Sequence, residues 1–223
     1  MAKTTRSAER RSDALTRERI VEVAIELLDS EGESGLTFRA LATRLETGHG
    51  AIQWHVANKG ELLKAATDDV LARAMAEVVG GAGPREAIRA IGLGVFDAIN
   101  AHPWVGAELS REPWQPAVMR IFEAFGGQIE ALGVPEPAQF DSATALLNYL
   151  LGLAAQCAAG ARLLPRETAR SDFLASLAER WTRLDAAHYP FTRRMATQLR
   201  EHDDREQFLA GIDLILTGLP APQ

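Results

Sequence analysis

Apolar side chains recur at three- and four-residue spacing along almost the whole of this 223-residue chain. No stretch alternates apolar and polar residues for long enough to make a half-buried strand. The chain therefore reads as all-α. Thr16 can cap a first helix carrying Ile20, Ala24, Leu27 and Leu28, which is expected to stop near residue 29. Thr37 can cap a second, with Phe38, Leu41, Ala42 and Leu45 at i, i+3, i+4 and i+7. A turn at 46–50 leads into a short third helix with Ala51 and Ile52. A long helix from Lys59 to Val79 follows, then one opened by Pro84, a short one between proline breaks, and an amphipathic one stopped by Gly133 and Pro135. Residues 140–164 are apolar on most sides and are expected to be buried all round. Further helices are expected at 168–185, 190–201 and 204–218.

Composition narrows the function classes. A hydrophobic fraction of 47% supports a packed core. The single cysteine, Cys157, allows no internal disulfide and no thiolate metal site. The N-terminal twenty residues lack the apolar run of a signal peptide, and no apolar run is read as nearing the roughly 20 residues that span a bilayer. A cytoplasmic protein without a membrane partner is the expectation. No nucleophile elbow, phosphate loop, dinucleotide fingerprint or zinc-protease motif occurs, so neither catalysis nor a cofactor is expected. Net charge is −6, yet residues 1–64 balance ten basic against ten acidic side chains, and the first nineteen carry six against three. The acidity lies in the larger C-terminal part, which leaves the N-terminal end open to nucleic acid.

Residues 37–63, TFRALATRLETGHGAIQWHVANKGELL, set two short helices around a tight turn and then place Gln53, Trp54, His55, Asn58 and Lys59 within seven residues. Such a pair packed on a first helix is a helix-turn-helix, whose second helix enters the major groove. Leu41, Leu45, Ala51 and Ile52 would hold the unit together, leaving His49, Gly50, Gln53 and Trp54 on the other face. A glutamine can pair with adenine, a histidine can donate to phosphate or guanine, and Lys59 can neutralise a phosphate. Spacing alone leaves a second reading open: a corner of a helical ligand-binding or scaffold protein with no DNA function. Joint exposure of His49, Gln53 and Trp54 separates the two.

The same segment, and WHVANK above all, closely resembles the DNA-binding region of TetR-family transcriptional regulators, most of all the tetracycline-repressor subgroup. AHPWVGAELS and residues 189–219 are similar to its middle and last regions. The resemblance implies an N-terminal DNA-binding domain at 16–62 behind a disordered basic tail at 1–15, and an effector-binding and dimerisation domain at 63–219. It implies that Arg39 reads a base, that His49, Gly50, Ala51, Gln53, Trp54 and His55 form the recognition surface, and that Thr37 and Lys59 contact phosphate. Two positions depart from the pattern: Glu46 stands where a turn glycine is usual, and Gln53 where a tyrosine is. The partners implied are a palindromic double-stranded operator, a second copy of the chain, and an effector that releases a repressor from DNA.

In the larger domain, Phe96, His102, Trp104, Trp114, Phe122, Asn148, Tyr149 and Gln156 are the candidate effector contacts. Aromatic walls with a few polar tips suit an apolar or aromatic small molecule. Asn148 and Gln156 stand out as amides in a helix read as buried, where they would need partners. The subgroup's metal-chelated ligand relies on histidines. The matching positions are read as Met75 and one near Leu109, so no metal site is expected. The resemblance places dimerisation on the helices at 139–161 and 204–218, with Ala154, Ala155, Ala158 and Ala159 permitting close approach and Phe208, Ile212 and Ile215 forming a stripe.

Overall fold

The computed structural model describes residues 15–76, 83–112, 114–163 and 170–220. The expected tail at 1–15 lies, except for Leu15, outside the described residues, as does the end of the long helix at 77–79. Among the described residues there are eleven helices and no strands. They are α1 (Arg17–Gly35), α2 (Phe38–Arg44), α3 (His49–His55), α4 (Lys59–Ala76), α5 (Pro84–Ala101), α6 (Pro103–Leu109), α7 (Pro116–Ala131), α8 (Glu136–Leu163), α9 (Arg170–Thr182), α10 (Pro190–Arg200) and α11 (Asp204–Thr217).

Local chemistry sets several boundaries. Thr16 accepts the Arg19 N–H at 3.1 Å and Thr37 the Ala40 N–H at 3.1 Å, satisfying donors that would otherwise lack partners. Asn58 and Glu61 cap α4 reciprocally: the Asn58 side chain accepts from the Glu61 N–H, and the Glu61 carboxylate accepts from the Ala57 N–H, each at 2.9 Å. Helix α1 does not stop at 29. It continues to Gly35 through a kink at Gly32, whose φ of 70° only glycine adopts without strain.

Two hydrophobic clusters form. The first joins Ile20, Ala24, Leu27, Leu36, Leu41, Ile52, Val56, Leu62 and Ala66, from α1 to the first half of α4. The second joins Val70 and Leu71 of α4 to α5, α6, α7, α8 and α11. Helix α4 therefore runs through both cores, and the boundary expected at 62/63 falls inside it. Each large apolar side chain fully buried here contributes roughly 1.5–3 kcal/mol. Helices α9 and α10 pack mainly on each other.

Helix α8 corrects two expectations. It is not buried all round: Ala143, Leu146, Leu147, Leu150 and Ala154 face the core, while Ala145, Asn148, Gly152, Ala155 and Ala159 are exposed along the opposite side. Its stretch Glu136–Gly160 is also long and apolar enough, by length and composition, to cross a membrane, contrary to the sequence reading. Its apolar character has another source here, since one face packs against α6 and α7. The expected dimer stripe is corrected too. Phe208 and Ile212 are buried in the chain's own core, as are Ala154 and Ala158.

Candidate DNA-reading face

Helices α2 and α3 meet across the turn at 45–48. Glu46 adopts φ 49°, the left-handed conformation that a glycine would take. The turn therefore keeps its shape, and a carboxylate occupies it. Thr47 N–H closes back on the Ala42 carbonyl at 3.0 Å. Leu41 and Ile52 are fully buried and Val56 nearly so, and these three side chains fix the rotation of α3. Trp54, two residues from Ile52, is 88% exposed. An indole left this far in water has lost the burial that usually stabilises it, so the fold does not explain it.

The same rotation exposes His49, Gly50, Ala51 and Gln53 beside Trp54, together with Thr37 and Arg39 from the start of α2. Phe38 and His49 lie with ring centroids 5.2 Å apart, which fastens the start of α3 to α2. A Cβ on Gly50 would meet nothing within 4 Å, so backbone approach there is open. The Thr37 oxygen is used as a cap acceptor, which leaves its hydroxyl proton for an external acceptor. Arg39 enters no ion pair among the described residues. His55 and Lys59 are half-buried. The Lys59 ammonium donates to the Glu33 carbonyl, so this lysine braces α1 as well as lying near the exposed face.

The candidate effector residues do not form one cluster. Phe96 stacks on Phe208 at 5.2 Å and Tyr149 on Phe208 at 5.6 Å, within the core. His102 and Trp104 both reach Asp29 of α1 at 2.7 Å. Trp114 contacts Phe122 edge-on at 5.8 Å, and Phe122 contacts Phe140 at 6.0 Å. Sequence reasoning does not single out Phe140; its position at the start of a long apolar helix gives no signal that it is 62% exposed. Beside it runs a groove of about 270 Å³ lined by Phe122, Glu123, Gly126, Gly127, Gln139 and Phe140, among others. Asn148 and Gln156 are exposed on α8, so the expectation of buried amides is overturned. Facing away from the core, they need no internal partner.

No protein-family model matches the chain. The chain is 51% identical to a transcriptional regulator of Streptomyces coelicolor described as a TetR, whose solved structure aligns with a TM-score of 0.81 over 92% of this chain and 97% of that one. It is 31% identical over 139 residues to an HTH-type transcriptional regulator of Saccharopolyspora erythraea, a match covering 62% of this chain and 59% of that protein. The chain thus spans little more than half the length of that curated relative. It is 26% identical over 222 residues to the class D tetracycline repressor protein of Escherichia coli, covering 92% and 88%.

Proposed function

Because the chain belongs to the TetR family of transcriptional regulators, we propose that it is a sequence-specific DNA-binding repressor that works as a homodimer and leaves its operator when a small molecule binds. The observation that carries the DNA reading is the joint exposure of His49, Gln53 and Trp54 on one side of α3, opposite a buried Ile52. Arg39, Gln53 and Trp54 serve as base contacts, with Gly50 and Ala51 letting α3 sit deep in the groove. Thr37 and Lys59 serve as phosphate contacts, and His55 belongs to the recognition surface.

Dimerisation fits the exposed small-residue face of α8, at Ala145, Gly152, Ala155 and Ala159, together with Leu214 of α11, which is 75% exposed. Two recognition helices related by a two-fold axis read a palindrome, whereas one helix buries too little surface for specific affinity. The effector is an apolar or aromatic molecule seated against Phe122 and Phe140, which line the groove, with Trp114 edge-on to Phe122. Coupling to DNA through α4, which is shared by both cores, would lower operator affinity about 5–150-fold on binding. The chain acts without a catalytic centre and in the cytoplasm.

In vitro selection from random duplexes tests the reading. Enrichment of a two-fold symmetric sequence is expected, with Gln53→Ala or Arg39→Ala weakening binding by roughly 1–3 kcal/mol and blurring preference at one position per half-site. Equal binding of all duplexes, or no binding, would sink it and favour a helical binding protein without DNA function.

A further inference from the structure

The two cores are joined by α4 and also by a line of polar contacts at the kinked end of α1. Asp29 Oδ1 accepts from both the His102 imidazole Nδ1–H and the Trp104 indole N–H, each at 2.7 Å. Beyond the kink at Gly32, Arg111 Nη2 donates to the Glu33 carboxylate at 2.7 Å. Arg111 Nη1 lies 2.9 Å from Glu108 Oε2, close enough to pair charges although not aligned as a hydrogen bond. On the other side of the kink, Arg44 at the end of α2 reaches Glu31 at 3.3 Å. Lys64 of α4 pairs with Glu112 nearby. Charged contacts therefore flank the glycine kink on both sides: Arg44 with Glu31 on the side of α2, and Arg111 with Glu33 and Glu108 on the side of α6.

The two ends of the Arg111 contact differ. Glu108 is 3% exposed, and a buried carboxylate does not readily give up its cation. Glu33 is 43% exposed, and an exposed pair separates with little loss. Arg111 is thus anchored on the α6 side and releasable on the α1 side.

We propose that Arg111 is a positioning residue for DNA reading: held by Glu108, it fixes the kinked end of α1 through Glu33 and so sets the angle of α2 and α3 on the larger domain. A displacement of α6 then reaches the reading helices through α1 as well as through α4. This rests on the DNA-binding function proposed above. Asp29, with His102 and Trp104, pins the other side of the kink.

The test uses the full chain, the duplex enriched by selection and a scrambled duplex of equal length. Glu33→Gln leaves the Glu108–Arg111 pair whole and removes one negative charge from the DNA-binding unit. Simple electrostatics predicts tighter binding to both duplexes. The positioning role predicts five- to fiftyfold weaker binding to the selected duplex, with the scrambled one unchanged or slightly tighter and the thermal midpoint held. Arg111→Gln should lose a similar factor on the selected duplex, the double variant no more than either single one, and Arg111→Lys should recover part of the loss. Glu33→Gln binding both duplexes as the wild type does, or more tightly, overturns the positioning role alone. Losses in the single variants that multiply in the double also overturn it. A wild-type chain that enriches no duplex overturns the DNA reading and this role with it.

Discussion

A Cβ built on Gly106 would lie 2.6 Å from the carbonyl oxygen of Ala154, so α6 and α8 touch backbone to backbone at this point. A carbonyl in the middle of a helix cannot swing aside as a side-chain tip can. Gly106→Ala is expected to push the helices apart and cost about 1–3 kcal/mol, more than the ~1 kcal/mol that alanine gains in helix propensity. Urea unfolding measures the difference. A variant as stable as the wild type would show that α6 slides on α8 without strain.

Glu46 pairs a left-handed backbone with a carboxylate just past the C-terminal end of α2. Both features are unfavourable, since a side chain in that conformation costs roughly 1–2 kcal/mol and the end of a helix repels negative charge. Glu46→Gly should therefore stabilise the fold by about 0.5–1 kcal/mol after the entropy of glycine is counted. On the proposed DNA-binding reading it should also tighten binding to every DNA sequence, because removing a negative charge beside α3 lowers repulsion from phosphate without touching a base contact. Thermal melting and titrations on two unrelated duplexes check both parts. Loss of stability would mean that the Glu46 side chain makes a compensating contact.

The exposed face of α8 makes a sharp prediction about assembly. A side chain at Gly152 would meet nothing within 4 Å inside the chain. Gly152→Trp should leave the secondary structure intact and block close approach of a second α8. Sedimentation should shift from twice the chain mass to one, and affinity for the selected duplex should fall at least about tenfold, since half-sites must be read together. A dimeric Gly152→Trp variant would move the interface elsewhere.

The fold was legible because helical periodicity and capping residues agreed. Thr16, Thr37 and Pro84 open helices where sequence placed them. The joint exposure of His49, Gln53 and Trp54 was legible for a related reason: Leu41 and Ile52 fix which side of α3 is core, and the remaining polar and aromatic tips face solvent. The larger domain was harder to read. In α8 the exposed face is built from alanine and glycine, which look like core in a sequence, so Asn148 and Gln156 read as buried amides there. Phe96 and Trp114 look equivalent as aromatic residues, yet one stacks in the core and the other stands on the surface with φ 63°. That difference depends on which helices pack together. The Glu33–Arg111 contact spans 78 residues, and no local pattern announces it.

Glu108 provides a prediction in pH. Burial raises its carboxyl above the usual value, while Arg111 pulls the other way without cancelling the rise. In the folded chain it therefore holds its proton at a pH where the unfolded chain, with a glutamate near 4.3, has lost it. Unfolding then releases a proton, and the contribution of this group to stability is fully present below the unfolded value and is lost as pH rises through the folded one. Asp185, Asp203 and Asp213 behave in the opposite sense. The Ala187 N–H, the Glu206 N–H and the Arg89 guanidinium, respectively, hold them low, so their contributions are lost as pH falls. These groups are shared by the wild type and Glu108→Gln, and cancel when the two are compared. The amide introduced by that substitution mimics the protonated acid at every pH. The stability of the variant relative to the wild type should thus be level below the unfolded value, rise above it, and level off once pH has passed the raised folded value, as measured by urea unfolding at a series of pH values. A difference that stays level throughout would mean that the carboxyl ionises as it does in water. A difference that falls with pH would mean that Arg111 outweighs burial, and that the anchored end of the contact is an ordinary ion pair.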